Sequence, residues 1–112
     1  MRAVKPLPAA SLHLVLALLD GELHGYALMR RVEQLSDGAV RMGPGTLYGT
    51  LNRLLEDGLV VETTDAVERD EAERRRFYEL STEGRSVALR ELQRLHELVR
   101  RVGGHLPGPA LA

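Results

Sequence analysis

The sequence predicts a small, mainly helical domain that carries one β-hairpin and ends in a long helix. Three observations predict it. Apolar residues recur at helical spacing in four separate segments, two short β-branched or aromatic runs stand between the third and the fourth, and glycine or proline marks the boundaries. The 112 residues are 44% hydrophobic and 28% charged with a net charge of -1, which supplies one core and not two. A core of this size is often completed by a second subunit.

The first helix is expected over Ala9 to Leu19. Its Leu12, Val15, Leu16, Leu18 and Leu19 leave almost no polar face, so it should be buried nearly all round. Asp20-Gly21 ends it, and a short loop through Glu22 and Leu23 leads to a second helix that starts near His24-Gly25-Tyr26. There Leu28, Val32 and Leu35 oppose Arg30, Arg31, Glu33 and Gln34. Ser36-Asp37-Gly38 breaks this helix. The third helix is predicted over Pro44 to Asp57, because Pro44 suits a first turn, Leu47, Leu51, Leu54 and Leu55 share a face, and Gly58 stands where a left-handed cap belongs.

Leu59 to Thr64 and Arg76 to Leu80 then read as the two strands of a hairpin. The intervening Asp65 to Arg74 is long and charged, and its tip is expected to be mobile. Ser81 reads as the N-cap of a fourth helix, Thr82 to Val102, whose first turn carries Glu83. Its Ala88, Leu92, Leu95, Val99 and Val102, widened by Leu89 and Leu98, form a seam with coiled-coil spacing. Gly103-Gly104 ends it.

Three helices followed by a two-stranded wing make a winged helix-turn-helix, in which the third helix is the one offered to a DNA major groove. The chain accordingly divides into a DNA-binding domain over 1–81, a dimerisation helix over 82–102 and a flexible tail over 103–112. About 31 Å of helix at 1.5 Å per residue is more than so small a core can cover, so the seam is assigned to a homodimer. Leu12, Val15 and Leu16 of the first helix offer a second surface for the same two-fold contact.

Several chemistries find no support. Cysteine is absent, so neither a disulfide framework nor a thiol nucleophile is available. The four histidines, His13, His24, His96 and His105, lack ligand spacing, which argues against a metal site, and no catalytic constellation or cofactor cradle can be assembled. The protein is not expected to be an enzyme. The apolar run from Leu12 to Leu19 is far short of the roughly 20 residues that cross a bilayer, and without an export signal the expected location is cytoplasmic. Near-neutral charge gives no global pull toward nucleic acid, so any contact must rest on local placement.

Local placement singles out the third helix. Thr46, Gly49, Asn52, Arg53 and Glu56 lie opposite its leucine stripe, with Tyr48 and Thr50 on the flanks. Thr and Asn can bond base edges or phosphates and Arg can grip guanine with two hydrogen bonds. The competing reading is an ordinary solvated helix face. Gly49 either lets backbone approach DNA or is tolerated drift, and Tyr48 and Tyr26 either direct hydroxyls to phosphates or pack structurally. From Glu62 to Arg76 six acids face four arginines, a net of -2. A wing that hugs phosphates should not look like this, although Arg74, Arg75 and Arg76 at the base of the second strand can still reach the backbone.

The strings His24-Gly25-Tyr26-Ala27-Leu28, Gly45-Thr46-Leu47-Tyr48 with Leu51-Asn52-Arg53-Leu54, Glu56-Asp57-Gly58-Leu59-Val60 and Arg74-Arg75-Arg76-Phe77-Tyr78-Glu79-Leu80-Ser81 with Gly84-Arg85 together resemble the PadR family of bacterial transcriptional regulators. The resemblance covers about Leu12 to Val102. It implies a dimeric repressor of promoter DNA that lets go when an effector arrives, and the subgroup with a single C-terminal dimerising helix. It favours Tyr48 for DNA contact and a mainly structural Tyr26. Two departures stand out: Gly49 replaces the usual proline, and the wing is long and acidic. Flat drugs held between subunits in this family lean on tryptophan, which this chain lacks. The alternative function is a protein-interaction module whose acidic wing grips a protein partner.

Overall fold

The computed structural model describes residues 5–64 and 76–108. In chain order its elements are α1 (Ala9–Ala17), β1 (Leu23–His24), α2 (Gly25–Leu35), α3 (Pro44–Glu56), β2 (Val60–Thr64), β3 (Arg76–Leu80) and α4 (Thr82–Val102), followed by a 3-10 turn over Gly103–His105. The fold is mainly helical with a small antiparallel sheet, as expected. That sheet has three strands in the order β1-β3-β2, not two. Leu23, expected in a loop, and His24, expected at the start of the second helix, pair with Tyr78 and Phe77, while β2 and β3 run from Val60 opposite Leu80 to Thr64 opposite Arg76.

One core joins the layers. Leu14, Val15 and Leu18 of the α1 region meet Leu28 and Val32 of α2, Leu47, Leu51 and Leu54 of α3, Val60 and Tyr78 of the sheet, and Ala88 of α4. The first helix stops at Ala17, two residues short of expectation, because Leu18 and Leu19 turn toward Gly21, whose φ is 142. Gly58 takes the predicted left-handed conformation, φ 75, just after α3.

The join between α3, β2 and α4 is tightly specified. Ser81 Oγ accepts from Gly84 N at 2.9 Å and donates to Gly58 O at 2.6 Å, so one hydroxyl caps α4 and holds the end of α3. Beside it, Ser81 N donates to Leu59 O at 3.0 Å. A β-carbon on Gly84 would collide with that same Leu59 carbonyl. Glycine is therefore required where α4 crosses the start of β2.

Two residues assigned to the dimer seam belong elsewhere. Val15 and Ala88 have no exposed surface and face the chain's own core. Leu12 and Leu16 remain half-buried on α1. Part of the expected tail is the 3-10 turn, and Leu106 to Gly108 beyond it are exposed. The charged loop between β2 and β3, with its expected mobile tip, lies outside the described residues, as do Arg74 and Arg75.

Candidate nucleic-acid interface

Helix α3 is fixed from below and bare above. Leu47, Leu51 and Leu54 are essentially fully buried, which holds the helix in one rotation about its axis. Thr46, Tyr48, Gly49, Asn52 and Arg53 consequently face outward, with Thr50 half-buried at the edge. Arg53 has no acidic partner among the described residues, so none of their carboxylates takes up its guanidinium donors. A side chain at Gly49 would meet open space. The chain's own packing therefore does not require glycine there, and its absence of a side chain leaves the helix surface low at mid-length.

At the start of α3 the N-cap is Gly43, which supplies no side-chain hydrogen bond, and Pro44 follows in the first turn. The first-turn amides are left to an external acceptor or water.

Tyr48 links two of the sequence strings. It is 43% exposed, yet its Oη lies so close to Gly25 that a β-carbon there would collide with it. The ring thus bridges α3 to the beginning of α2, and the glycine of His24-Gly25-Tyr26 exists to let it in. His24 serves the same junction from the other side. Its Nδ1 accepts from Ala27 N at 3.3 Å as the N-cap of α2, and its ring stands edge-on to Phe77 with centroids 5.8 Å apart. No spacing in the sequence marks His24 as a cap; only its place directly before the helix hints at it.

Tyr26 departs from its expected structural role, since it is 62% exposed. On the wing, Tyr78 is buried beneath the sheet, and burial, aided by Glu62 and Tyr48, pushes its hydroxyl above the ordinary tyrosine range. Arg76 is exposed, but its Nε lies 3.5 Å from Glu62 Oε1, which offsets part of its charge.

A second surface lies on α4. Leu89, Leu92, Leu98 and Val102 are exposed and Leu95 and Val99 half-buried. Leu89, Leu92, Leu95, His96 and Val99 line an apolar groove of about 600 Å³. Among the described residues no helix is long and apolar enough to cross a membrane.

A helix-turn-helix with a sheet wing and a bare third helix defines a winged-helix transcriptional regulator. Similarity to known proteins makes the assignment specific. The Transcriptional regulator PadR-like family matches residues 15–91, and the chain belongs to that family. It is 38% identical over 96 residues to the transcriptional regulator Rv3488 of Mycobacterium tuberculosis, covering 86% of this chain and 84% of that protein. Among solved structures, it is similar to a PadR family transcriptional regulator from Eggerthella lenta, at 28% identity and TM-score 0.63 over 88% of this chain and 82% of the other. The fold is also that of a PadR family regulator from hypervirulent Clostridium difficile, with TM-score 0.69, 21% identity and coverage of 90% and 100%.

Proposed function

We propose that this regulator is a repressor that binds palindromic promoter DNA as a homodimer, reading bases with α3 and touching backbone with the wing, and that a small-molecule effector releases it. The observation that carries the proposal is the outward face of α3, where Thr46, Tyr48, Gly49, Asn52 and Arg53, the last without an acidic partner among the described residues, stand on a helix fixed by three buried leucines. Arg53 and Asn52 have the hydrogen-bonding groups for guanine and adenine edges. Residues 1–81 supply this reading surface, and 82–102 supply the two-fold contact through Leu92, Leu95, Val99 and Val102, with Leu12 and Leu16 alongside. A two-fold dimer of this kind sets two α3 helices about 34–36 Å apart, one turn of DNA. Family membership supports repression and release by a ligand. The chain contains no tryptophan, so a stacking mode for that ligand would have to use another ring.

Footprinting on the DNA upstream of its own gene tests the proposal, with protection of a palindrome expected. Arg53→Ala should weaken that complex by about 1–3 kcal/mol if Arg53 reads a base, and should weaken all sequences alike if it holds only phosphate. Full binding by Arg53→Ala and Asn52→Ala together would remove α3 as the reader.

A further inference from the structure

Helix α2 presents two flanks to its surroundings, and they differ. At about 100° per residue, Leu28, Val32 and Gly25 form the inner arc, and all three are buried. Arg31 lies on the α1 side of that arc, where its Nη2 is 3.5 Å from Asp20 Oδ2. Tyr26 lies on the other side, beyond Gly25, the residue that Tyr48 of α3 covers, and Arg30 lies about 40° further round, on the face of the helix turned away from the core. The exposed surface of α3 therefore reaches α2 through Tyr48 at Gly25, next to Tyr26.

This flank holds a prepared cation. Arg30 Cζ stands 5.9 Å from the centroid of the Tyr26 ring, within the range in which an aromatic face attracts and orients a guanidinium. Arg30 has no acidic partner among the described residues. Two acids, Glu33 and Asp37, line one hollow with Arg30; neither makes an ion pair with it among the described residues, and Glu33 is engaged by Arg41, with Nε 3.6 Å from its Oε1. A guanidinium held on a ring, with no acid paired to it among the described residues, suits the paired oxygens of a phosphodiester better than a lone carbonyl. In a helix-turn-helix, the helix before the reader is the one that crosses the DNA backbone.

We propose that Tyr26 and Arg30 form a second contact edge, in which Arg30 holds one backbone phosphate of the DNA read by α3 and Tyr26 is the positioning residue for its guanidinium. This inference rests on the reading of α3 as the DNA-reading helix. It changes the role of Tyr26 from packing to recognition and gives the complex a basic contact that does not depend on the acidic wing.

The test is the salt dependence of binding to two probes, DNA from upstream of the chain's own gene and a mixed-sequence duplex. Removing one neutralised phosphate from the complex should lower the slope of log affinity against log salt by about 0.9. Arg30→Gln is expected to lower it by that amount per subunit engaged, with the same fold-loss on both probes, while Arg30→Lys retains most of the slope. Tyr26→Phe should bind like the wild type, and Tyr26→Ala should lose part of the slope. Because both side chains are exposed, helical circular dichroism should be unchanged in every variant. An Arg30→Gln slope equal to that of the wild type, or a weakening confined to the upstream DNA, would overturn the phosphate edge. If Arg53→Ala still impairs upstream binding in that case, the reading of α3 stands without it. A wild-type chain that binds neither probe overturns both.

Discussion

Helix α4 carries one stripe, Gly84, Ala88, Glu91, Leu95, Leu98 and Val102, at spacings that alternate four and three, and its two halves differ in what covers that stripe. In the first half Gly84, Ala88 and Glu91 are buried against α1, Leu59 and Leu7. In the second half Leu98 and Val102 are exposed and Leu95 is half-buried. Side-chain chemistry follows the covering. At Gly84 and Ala88, where the helix backbone presses on its own domain, small residues leave clearance; further along, large apolar residues present a surface that none of the described residues covers. The stripe that starts as core thus ends as the proposed interface.

The largest expected effect breaks the outer half. Leu95→Asp places an unpaired carboxylate in the proposed seam, which should weaken the dimer by about 3–5 kcal/mol. Light scattering should report a monomer, while the helical signal and the core packing of the first half persist. Specific binding to a palindrome should fall much further than nonspecific binding, since only the specific complex needs both half-sites. A wild type that is monomeric at micromolar concentration would remove α4 as the interface.

Next in size is the inner half. Gly84→Ala drives a methyl group into the Leu59 carbonyl, and backbone on both sides gives it little room to yield. Overpacking of this kind costs about 1–3 kcal/mol, read as a lower melting temperature. The same change should leave dimer affinity per folded subunit nearly intact. Leu95→Asp and Gly84→Ala should therefore separate assembly from folding along one helix.

The contrast also explains what was legible in the sequence. Periodicity recovered all four helices, and Gly58 and Ser81 fixed two of their boundaries, because the spacing of apolar residues records which face is buried. It does not record which molecule buries it, so Val15 and Ala88 fell into the seam although the chain's own core encloses them. Strand β1 left no trace for a different reason: two residues have no period, and Leu23 and His24 become a strand only by pairing with Tyr78 and Phe77 far along the chain. On the candidate site, the outward face of α3 was readable from its leucines. The capping role of His24 and the exposure of Tyr26 were not, since both depend on how α2 meets α3 and β3.

A smaller effect sharpens the comparison at Glu91, the one charged residue on the buried half of the stripe. Burial alone would raise its pKa, but the Leu7 N–H donating to Oε1 at 2.5 Å and the Arg94 Nε donating to Oε2 at 2.7 Å outweigh it and hold the carboxyl below the usual range. A carboxylate with a depressed folded-state pKa adds stability that is fully present above the unfolded value, about 4.3 for glutamate, and is lost as pH falls through the lower folded value. The contact also straps the segment before α1 onto α4, so its loss should loosen that segment first. In Glu91→Gln the amide oxygen can still accept from Leu7, but without charge, and the difference between charged and neutral hydrogen bonds puts the loss at about 1 kcal/mol near neutral pH. The gap in melting temperature between wild type and Glu91→Gln should therefore be widest at neutral pH and close as pH drops below about 4. Equal melting temperatures at neutral pH would mean that the carboxylate adds nothing an amide cannot, and that the buried half of the stripe is held by Gly84, Ala88 and their neighbours alone.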